Sequence, residues 1–545
     1  MLRRERMRYL HAFRYIVLAC LALLADSVFA QGVAQVWVAR YNANSNSRDE
    51  AVDLAVDDSG YVYVTGYSFS PSTGTGFDYV TIKYTPDGDT VWARRYNNPP
   101  VSFSELPYDL TIDKSGYVYV TGQSYEMGNQ YDIATVKYAS NGDSVWVRRY
   151  NGTGDSTDIG VKLSVDDSGY VYLTGESRGI GGAYDIVTIK YKPNGDEVWV
   201  KRYNGPGNSD DYPSGLAVDD SGHVYVAGYS AGIASASDYT LIKYSPSGDT
   251  LWVRRYNGLG NSADVIHAVA RDNSGFLYVT GSSIGFGTAT DYATIKYTPA
   301  GDTVWVRSYD GPGSSSELAY NVEVDGGGNV YVNGYNDSLG GDENFLTIKY
   351  APNGDQLWLR HYRGVGTGSE DRSQDMAIDD SGNVYVSGKS GAGVNSKDYA
   401  TIKYSSNGDS LWTVRYNGPG NSDDVPAEVA VDDSGNVYVT GYSVESDTSK
   451  EYATIKYSSC LAKPGDANAS GTYSLSDVIA IVNYIFNKPG CAPQPLCWIS
   501  SLICRGDWDG GGTVSLSDVI RAVNYIFNKP GGPWNALPVG VCCLP

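Results

Sequence analysis

VDDSGHVYVAGYSAGIASASDYTLIKYSPSGDTLWVRRYNG, residues 218 to 258, recurs with small changes along most of this 545-residue chain. Within a copy, β-branched and aromatic residues alternate between glycine-bearing turns, the period-two signature of antiparallel strands, and helical spacing is absent. In the first copy, Asp57-Asp58-Ser59-Gly60 and Pro86-Asp87-Gly88-Asp89 supply residues that close tight hairpins. Four strands follow: A (Ala51 to Val56), B (Tyr61 to Gly66), C (Tyr79 to Tyr84) and D (Thr90 to Tyr96). Four-stranded units of this kind are the blades of a radial all-β ring, with the alanine- and valine-rich strand A innermost and the tryptophan-bearing strand D outermost.

Tryptophans at 37, 92, 146, 199, 252, 305, 358 and 412 each open a W-x-x-R-Y-like string, with departures at Ser308 and His361, at a spacing of 53 to 55 residues. The first such string, Val36 to Tyr41, precedes any strand A, whereas the last copy, Val429 to Tyr457, ends without one. Pairing the orphan strand with the incomplete blade removes two exposed edges and predicts an eight-bladed β-propeller closed by its N-terminal strand. A seven-bladed ring with a spare unit and an open β-solenoid are the alternatives. The string Val431-Asp432-Asp433-Ser434-Gly435-Asn436-Val437-Tyr438-Val439-Thr440-Gly441 and the run from Thr401-Ile402-Lys403-Tyr404 to Trp412 resemble the bacterial seven-bladed β-propeller repeat family. The resemblance covers residues 33 to 458 and departs from the family in blade count.

With 64 glycines, 47 tyrosines and only four histidines, the composition suits strands and turns more than acid-base catalysis. Arg3, Arg4, Arg6, Arg8 and Arg14 ahead of the apolar run Tyr15 to Ala25, with Val28-Phe29-Ala30 as a cleavage site, read as a signal peptide over residues 1 to 30. A secreted protein without a membrane span is expected, and loss of the leader takes the formal net charge from −21 to about −24. That acidity argues against nucleic acid as a partner and is compatible with calcium.

After Tyr457 the composition changes, because all six cysteines outside the leader fall at 460, 491, 497, 504, 542 and 543. In a secreted module these suggest disulfides of undetermined connectivity. Residues 465 to 477 and 506 to 518 match each other, and within them 466 to 477 and 507 to 518 read as twelve-residue calcium loops. The first offers Asp466, Asn468, Ser470, Thr472 (by its carbonyl), Ser474 and Asp477. The second offers Asp507, Asp509, Thr513 (by its carbonyl), Ser515 and Asp518, and Gly511 costs it one ligand. A helix-spaced apolar run follows each loop and stops at Lys488-Pro489-Gly490 or Lys529-Pro530-Gly531. Residues 464 to 532 thus resemble a type I dockerin, a small α-helical calcium-loop domain, with 533 to 545 as a cysteine-containing tail. That resemblance implies bound Ca2+ and docking to a cohesin-like protein. Leu475-Ser476 and Leu516-Ser517, where dockerins read their partners, make calcium binding carry over better than docking.

In a ring of this strand order the variable D-to-A and B-to-C connections share one face, including Asn204 to Asp211, Asn417 to Asp424, Ser230 to Ser237 and Ser282 to Thr290. Phe69, Tyr125, Tyr212 and Phe286 are scattered there, and an unidentified ligand is expected on that face. The strand C lysines (83, 137, 190, 243, 296, 349, 403 and 456) read as structural, paired with acidic neighbours. Histidines 223, 267 and 361 lack partner motifs and read as scaffold, so no catalytic or cofactor-binding residue is assigned. The expectation is a secreted, non-enzymatic binding scaffold, attached through its calcium module. The rival is a propeller enzyme, quinoprotein-like or carbohydrate-active, with the same module as its attachment.

Overall fold

A computed structural model describes residues 32–460, apart from 44–47, 70–75, 99–102, 127–129, 234, 286–288, 312–315, 338–341, 365–369, 392–395 and 446–448. The leader, the calcium-loop residues, the dockerin-like domain and Phe286 lie outside the described residues. Residues Gln35–Ser458 form one compact unit. It contains eight four-stranded antiparallel sheets, and in seven of them the strands follow chain order. In the eighth, Gly32–Tyr41 lies beside Lys450–Cys460, so the orphan strand fills the incomplete blade. Blade count and closure agree with the reading of the repeats. The A strands of consecutive blades touch all the way round, which makes them the inner wall of the ring.

Each A-to-B turn is held by its first aspartate. In blade 1, Asp57 Oδ1 accepts the Ser59 and Tyr61 N–H groups, and Oδ2 accepts the Tyr63 hydroxyl at 2.9 Å. The C-to-D turn needs glycine for two reasons, shown by Gly248: its φ is 88°, and a Cβ there would meet the Trp199 ring of the preceding blade at 2.9 Å.

That close approach belongs to a clamp repeated between blades. Trp146 Nε1 donates to the Pro193 carbonyl of the next blade at 3.1 Å, and Lys137 Nζ donates to the same oxygen at 3.2 Å. Beside them Arg148 Nε donates to Gly195 O at 2.6 Å. Between blades 8 and 1, Trp37 and Lys456 both donate to Pro86 O, so the junction of first and last strands carries the same clamp as that between blades 2 and 3, whereas at the junction of blades 7 and 8 the Trp412 indole N–H is buried without a hydrogen-bond partner. The strand C lysines therefore differ from the expectation of acidic partners. Lys137 Nζ lies 4.1 and 4.9 Å from the Tyr117 and Tyr119 ring centres, with its side chain buried. Burial lowers its pKa, and the aromatic faces and the carbonyl hold the ammonium where water cannot. The turn aspartate of each blade stands behind this cage and offsets part of the burial, as Asp113 does for Lys137, but it comes within 4.0 Å of the ammonium only at Lys349 and Lys403.

A second clamp lies toward the opposite face. Arg202 of strand D meets Asp185 of strand C at 2.8 Å, the Ser177 hydroxyl, and the Tyr150 hydroxyl of the preceding blade. Arg95, Arg149, Arg255 and Arg415 repeat the arrangement. A fully buried acid begins each strand A or immediately precedes it: Asp49, Glu105, Asp158, Asp211, Asp264, Glu317, Asp371 and Asp424. In five blades this carboxylate accepts a glycine N–H of its own loop, as Asp211 does from Gly205. The NGPGNSDD loops are accordingly less free than their polarity suggested, since Asp211 and Asp424 anchor them from inside.

Trp146→Ala should empty a space between blades 2 and 3 and cost about 3 kcal/mol or more, whereas Trp146→Phe, which loses the indole N–H and part of the ring volume but keeps an aromatic filler, should cost less, about 2 kcal/mol. Urea denaturation of the two variants measures the difference. Burial, aided by Asp78, pushes Glu105 up to about 8. The folded state therefore holds this proton more tightly than the unfolded chain, and its contribution is complete at acid pH and lost as pH rises toward 8. Glu105→Gln should flatten the fall of the thermal midpoint between about pH 5 and 8, and an unchanged slope would refute this origin.

Candidate functional site

Two loop contacts bring the variable connections to one face, Gly207 N to Ala231 O at 3.1 Å and Gly260 N to Ile284 O at 3.2 Å. The expected shared face is therefore present. Its centre, the mouth of the ring, is where the first residues of strands A pair with the last residues of strands B. Two columns of side chains vary there from blade to blade. One runs through Glu50, Tyr212 and Arg372 on strands A, and the other through Tyr67, Glu176, Tyr229, Tyr335, Lys389 and Tyr442 on strands B.

Three sectors of the mouth are chemically distinct. At blades 8 and 1, Lys450 Nζ lies 3.7 Å from the Tyr442 ring centre and 2.8 Å from Glu50, which also meets Arg48. Burial alone would raise the Glu50 pKa, but the hydrogen bonds from Arg48 and Lys450 outweigh it and lower it. At blades 6 and 7, Arg372 forms a two-pronged pair with Glu343, and its guanidinium lies 4.7 Å over Tyr335. Beside it Glu370, hydrogen-bonded by Lys397 and Lys389, is held down to about 2. At blades 3 and 4, Tyr212 packs against Tyr184 at 5.9 Å and Tyr229 at 5.3 Å. Burial and the neighbouring Asp210 push Glu176 there up to about 7.

Below the mouth, a bulge in each strand A directs one more side chain toward the next blade. Asp53, Asp109 and Asp375 use it to accept the N–H groups of Leu110, Leu163 and Val429. Lys162 reaches Asp109 at 2.7 Å. Asp375 and Glu428 hydrogen-bond to each other, which requires a proton between them, and burial raises both pKa values. The sequence reading passed over these positions, because the repeats differ there: Gly215, Ala268 and Asn321 replace the acid in blades 4, 5 and 6.

The sequence departures Ser308 and His361 fall on the arginine of the second clamp. In blade 6 the loss is matched, since Asn344 replaces the aspartate and His361 Nδ1 bonds Asn336 at 3.0 Å. In blade 5 Asp291 stays, and with Asp310 and Glu317 it brings three carboxylate oxygens within 4.8 Å of one another. His223 is tied to its turn aspartate, Asp219, at 3.1 Å, and His267 packs edge-on against Tyr320. Burial lowers His267 to about 4, so it is neutral at physiological pH. Of the aromatics noted from sequence, Tyr125 stacks on Phe103 at 3.8 Å, Phe69 meets Phe77 edge-on, and only Tyr212 stands among the mouth columns. On the turn face, notches of about 270 to 420 Å³ between blades are lined by the turn aspartates and strand C lysines already engaged in the scaffold.

Four segments, residues 36–70, 198–233, 251–287 and 411–446, match the Beta-propeller repeat family. An uncharacterized WD repeat-containing protein of Acanthamoeba polyphaga mimivirus is 23% identical over a match covering 37% of this chain and 18% of that protein. The chain thus spans less than a fifth of that curated relative. Among solved structures, the WD40 domain of SCAP from fission yeast is 9% identical, with 78% of this chain and 98% of that one covered and a TM-score of 0.41. The β-propeller domain of the Trilobed protease from Pyrococcus furiosus is 7% identical, covering 70% and 100%, with a TM-score of 0.39. A protein of unknown function from Dyadobacter fermentans is 11% identical, covering 79% and 100%, at 0.37. The unit on which this eight-bladed ring is built matches the Beta-propeller repeat family in those four segments.

Proposed function

We propose that this protein is a secreted, non-enzymatic binding scaffold whose ring offers its mouth as the interaction face. The observation that carries the reading is a division of labour among side chains. The repeated Trp, Lys, Arg and turn Asp residues are engaged within and between blades. The positions whose residue changes among blades, such as the strand B position that holds Tyr229, Tyr335, Glu176 or Lys389 and the strand A position that holds Arg372, gather at the mouth. Aromatic rings and arginines on a rigid frame are the groups that dominate recognition surfaces. In the same proposal the C-terminal module binds Ca2+ through Asp466, Asn468, Ser470, Thr472, Ser474 and Asp477, with Asp507, Asp509, Thr513, Ser515 and Asp518 as a weaker second site. Its calcium-bound form attaches the protein to a cohesin-like partner or a surface.

Peptide and glycan arrays probed with the full chain test the ring. Tyr229→Ala combined with Arg372→Ala should abolish retained signals, and Asp220→Ser on the opposite face should leave them; the reverse pattern would place recognition on the turns. Calorimetric titration of the calcium-stripped full chain tests the module. Heat of binding should appear with Ca2+, and Asp466→Asn with Asp507→Asn should remove it, since each change takes a charged ligand from position 1 of a loop.

A further inference from the structure

We propose that the blade 3 and 4 sector of the mouth binds an organic cation, an alkylammonium or guanidinium group, between its tyrosine rings and the carboxylates of Glu176 and Asp210. This rests on the reading of the mouth as the interaction face and names the chemistry one part of it takes.

The protein supplies its own templates. At blades 8 and 1 a ring, a carboxylate and a cation converge, with Lys450 against Tyr442 and Glu50. At blades 6 and 7 they converge again, with Arg372 against Tyr335 and Glu343. The blade 3 and 4 sector has the first two members. Glu176 stands at the strand B position that Tyr229 and Tyr442 occupy in other blades, and Tyr212 stands at the strand A position held by Glu50 and Arg372. Tyr212 and Tyr229 face each other across the strand pair. The Glu176 charge adds to burial in raising the phenols of Tyr108, Tyr212 and Tyr229, so this carboxyl has aromatic neighbours on blades to either side of its own.

The third member is missing. Among the described residues, no ion pair reaches Glu176 or Asp210, whereas Glu50, Glu343 and Glu370 all have one. Arg178, the cation on this loop, is turned to its own hairpin, bonding Gly182 O at 2.7 Å and covering Tyr184 at 5.4 Å. Asp210 receives only the Tyr184 N–H among backbone donors. A half-enclosed carboxyl with aromatic faces and no internal counter-ion favours a cation from outside, which gains both Coulomb attraction and ring-face contact. A sugar could use the rings and donate its hydroxyls to the carboxylates, but unlike a cation it brings no charge to offset Asp210 and the part-ionised Glu176. The B-to-C loops of these two blades also carry exposed apolar side chains, Ile180 and Ile233, at 87% and 85% exposure, which suit a cation on a carbon stem.

Saturation-transfer NMR and calorimetry on the full chain test this with choline, ethylguanidinium, an acetylated lysine amide and 3,3-dimethylbutanol, the neutral isostere of choline. The cations should bind at least about tenfold more tightly than the isostere, and Glu176→Gln and Tyr229→Ala should each weaken them about tenfold, with Asp220→Ser unchanged. Preference for the lysine amide over choline would identify a protein side chain as the natural source, and the converse a free quaternary ammonium. Equal binding of isostere and cation, full cation binding by Glu176→Gln, or no binding at 10-millimolar ligand would each overturn the proposal. If cations fail while array ligands still depend on Tyr229 and Arg372, only this inference falls; loss of both removes the interaction face itself.

Discussion

At five of the eight blade junctions a single carbonyl oxygen, taking both an indole and an ammonium, organises the ring. In the C-to-D turn, an oxygen such as that of Pro193 accepts from both an indole and a lysine of the blade before. Nearly every repeated residue can be read from that constraint. The indole must cross the gap between blades, so the facing turn must be glycine. The ammonium must be brought into a dry place, so two aromatic rings line its path. Those rings need an anchor, and the turn aspartate takes the hydroxyl of one, as Asp113 does from Tyr119. Such a set of mutually dependent polar contacts is costly to leave half-made, which favours keeping all of its members in each copy.

The ring was legible in the sequence because period-two strands, turn residues and the miscount of tryptophan strings are local or arithmetic signals. Partners across a blade junction were not. Lys137 and Pro193 are 56 positions apart, and nothing in either string says that an ammonium will choose a carbonyl and two rings over an aspartate. The same gap hid the mouth. Glu176 and Tyr229 occupy equivalent positions in neighbouring blades, but a repeat-based reading discards such positions as variable, and their shared face emerges only when the blades are set side by side.

The acids of the chain divide by environment more than by type. Glu370 lies between two lysines and stays ionised to about pH 2, while Glu105, buried near Asp78, holds its proton to about 8. A net charge that looks uniformly negative on paper is thus distributed as paired carboxylates, protonated carboxyls and a few unpaired ones. Only the last kind creates a local field that a ligand can answer.

The closing strand also sets an order of events. Gly32–Tyr41 is made before any blade, yet its partner strand, Lys450–Cys460, is made after the last turn of the ring. During synthesis the first strand must wait, apolar and unpaired, while seven blades assemble behind it. The entropy of joining chain ends roughly 400 residues apart exceeds that of a within-blade pairing by only about 3 to 4 kcal/mol, because the cost grows with the logarithm of loop length. Closure is therefore slow to become possible but cheap once it is, and after it neither outer strand nor last blade can peel away without breaking the other.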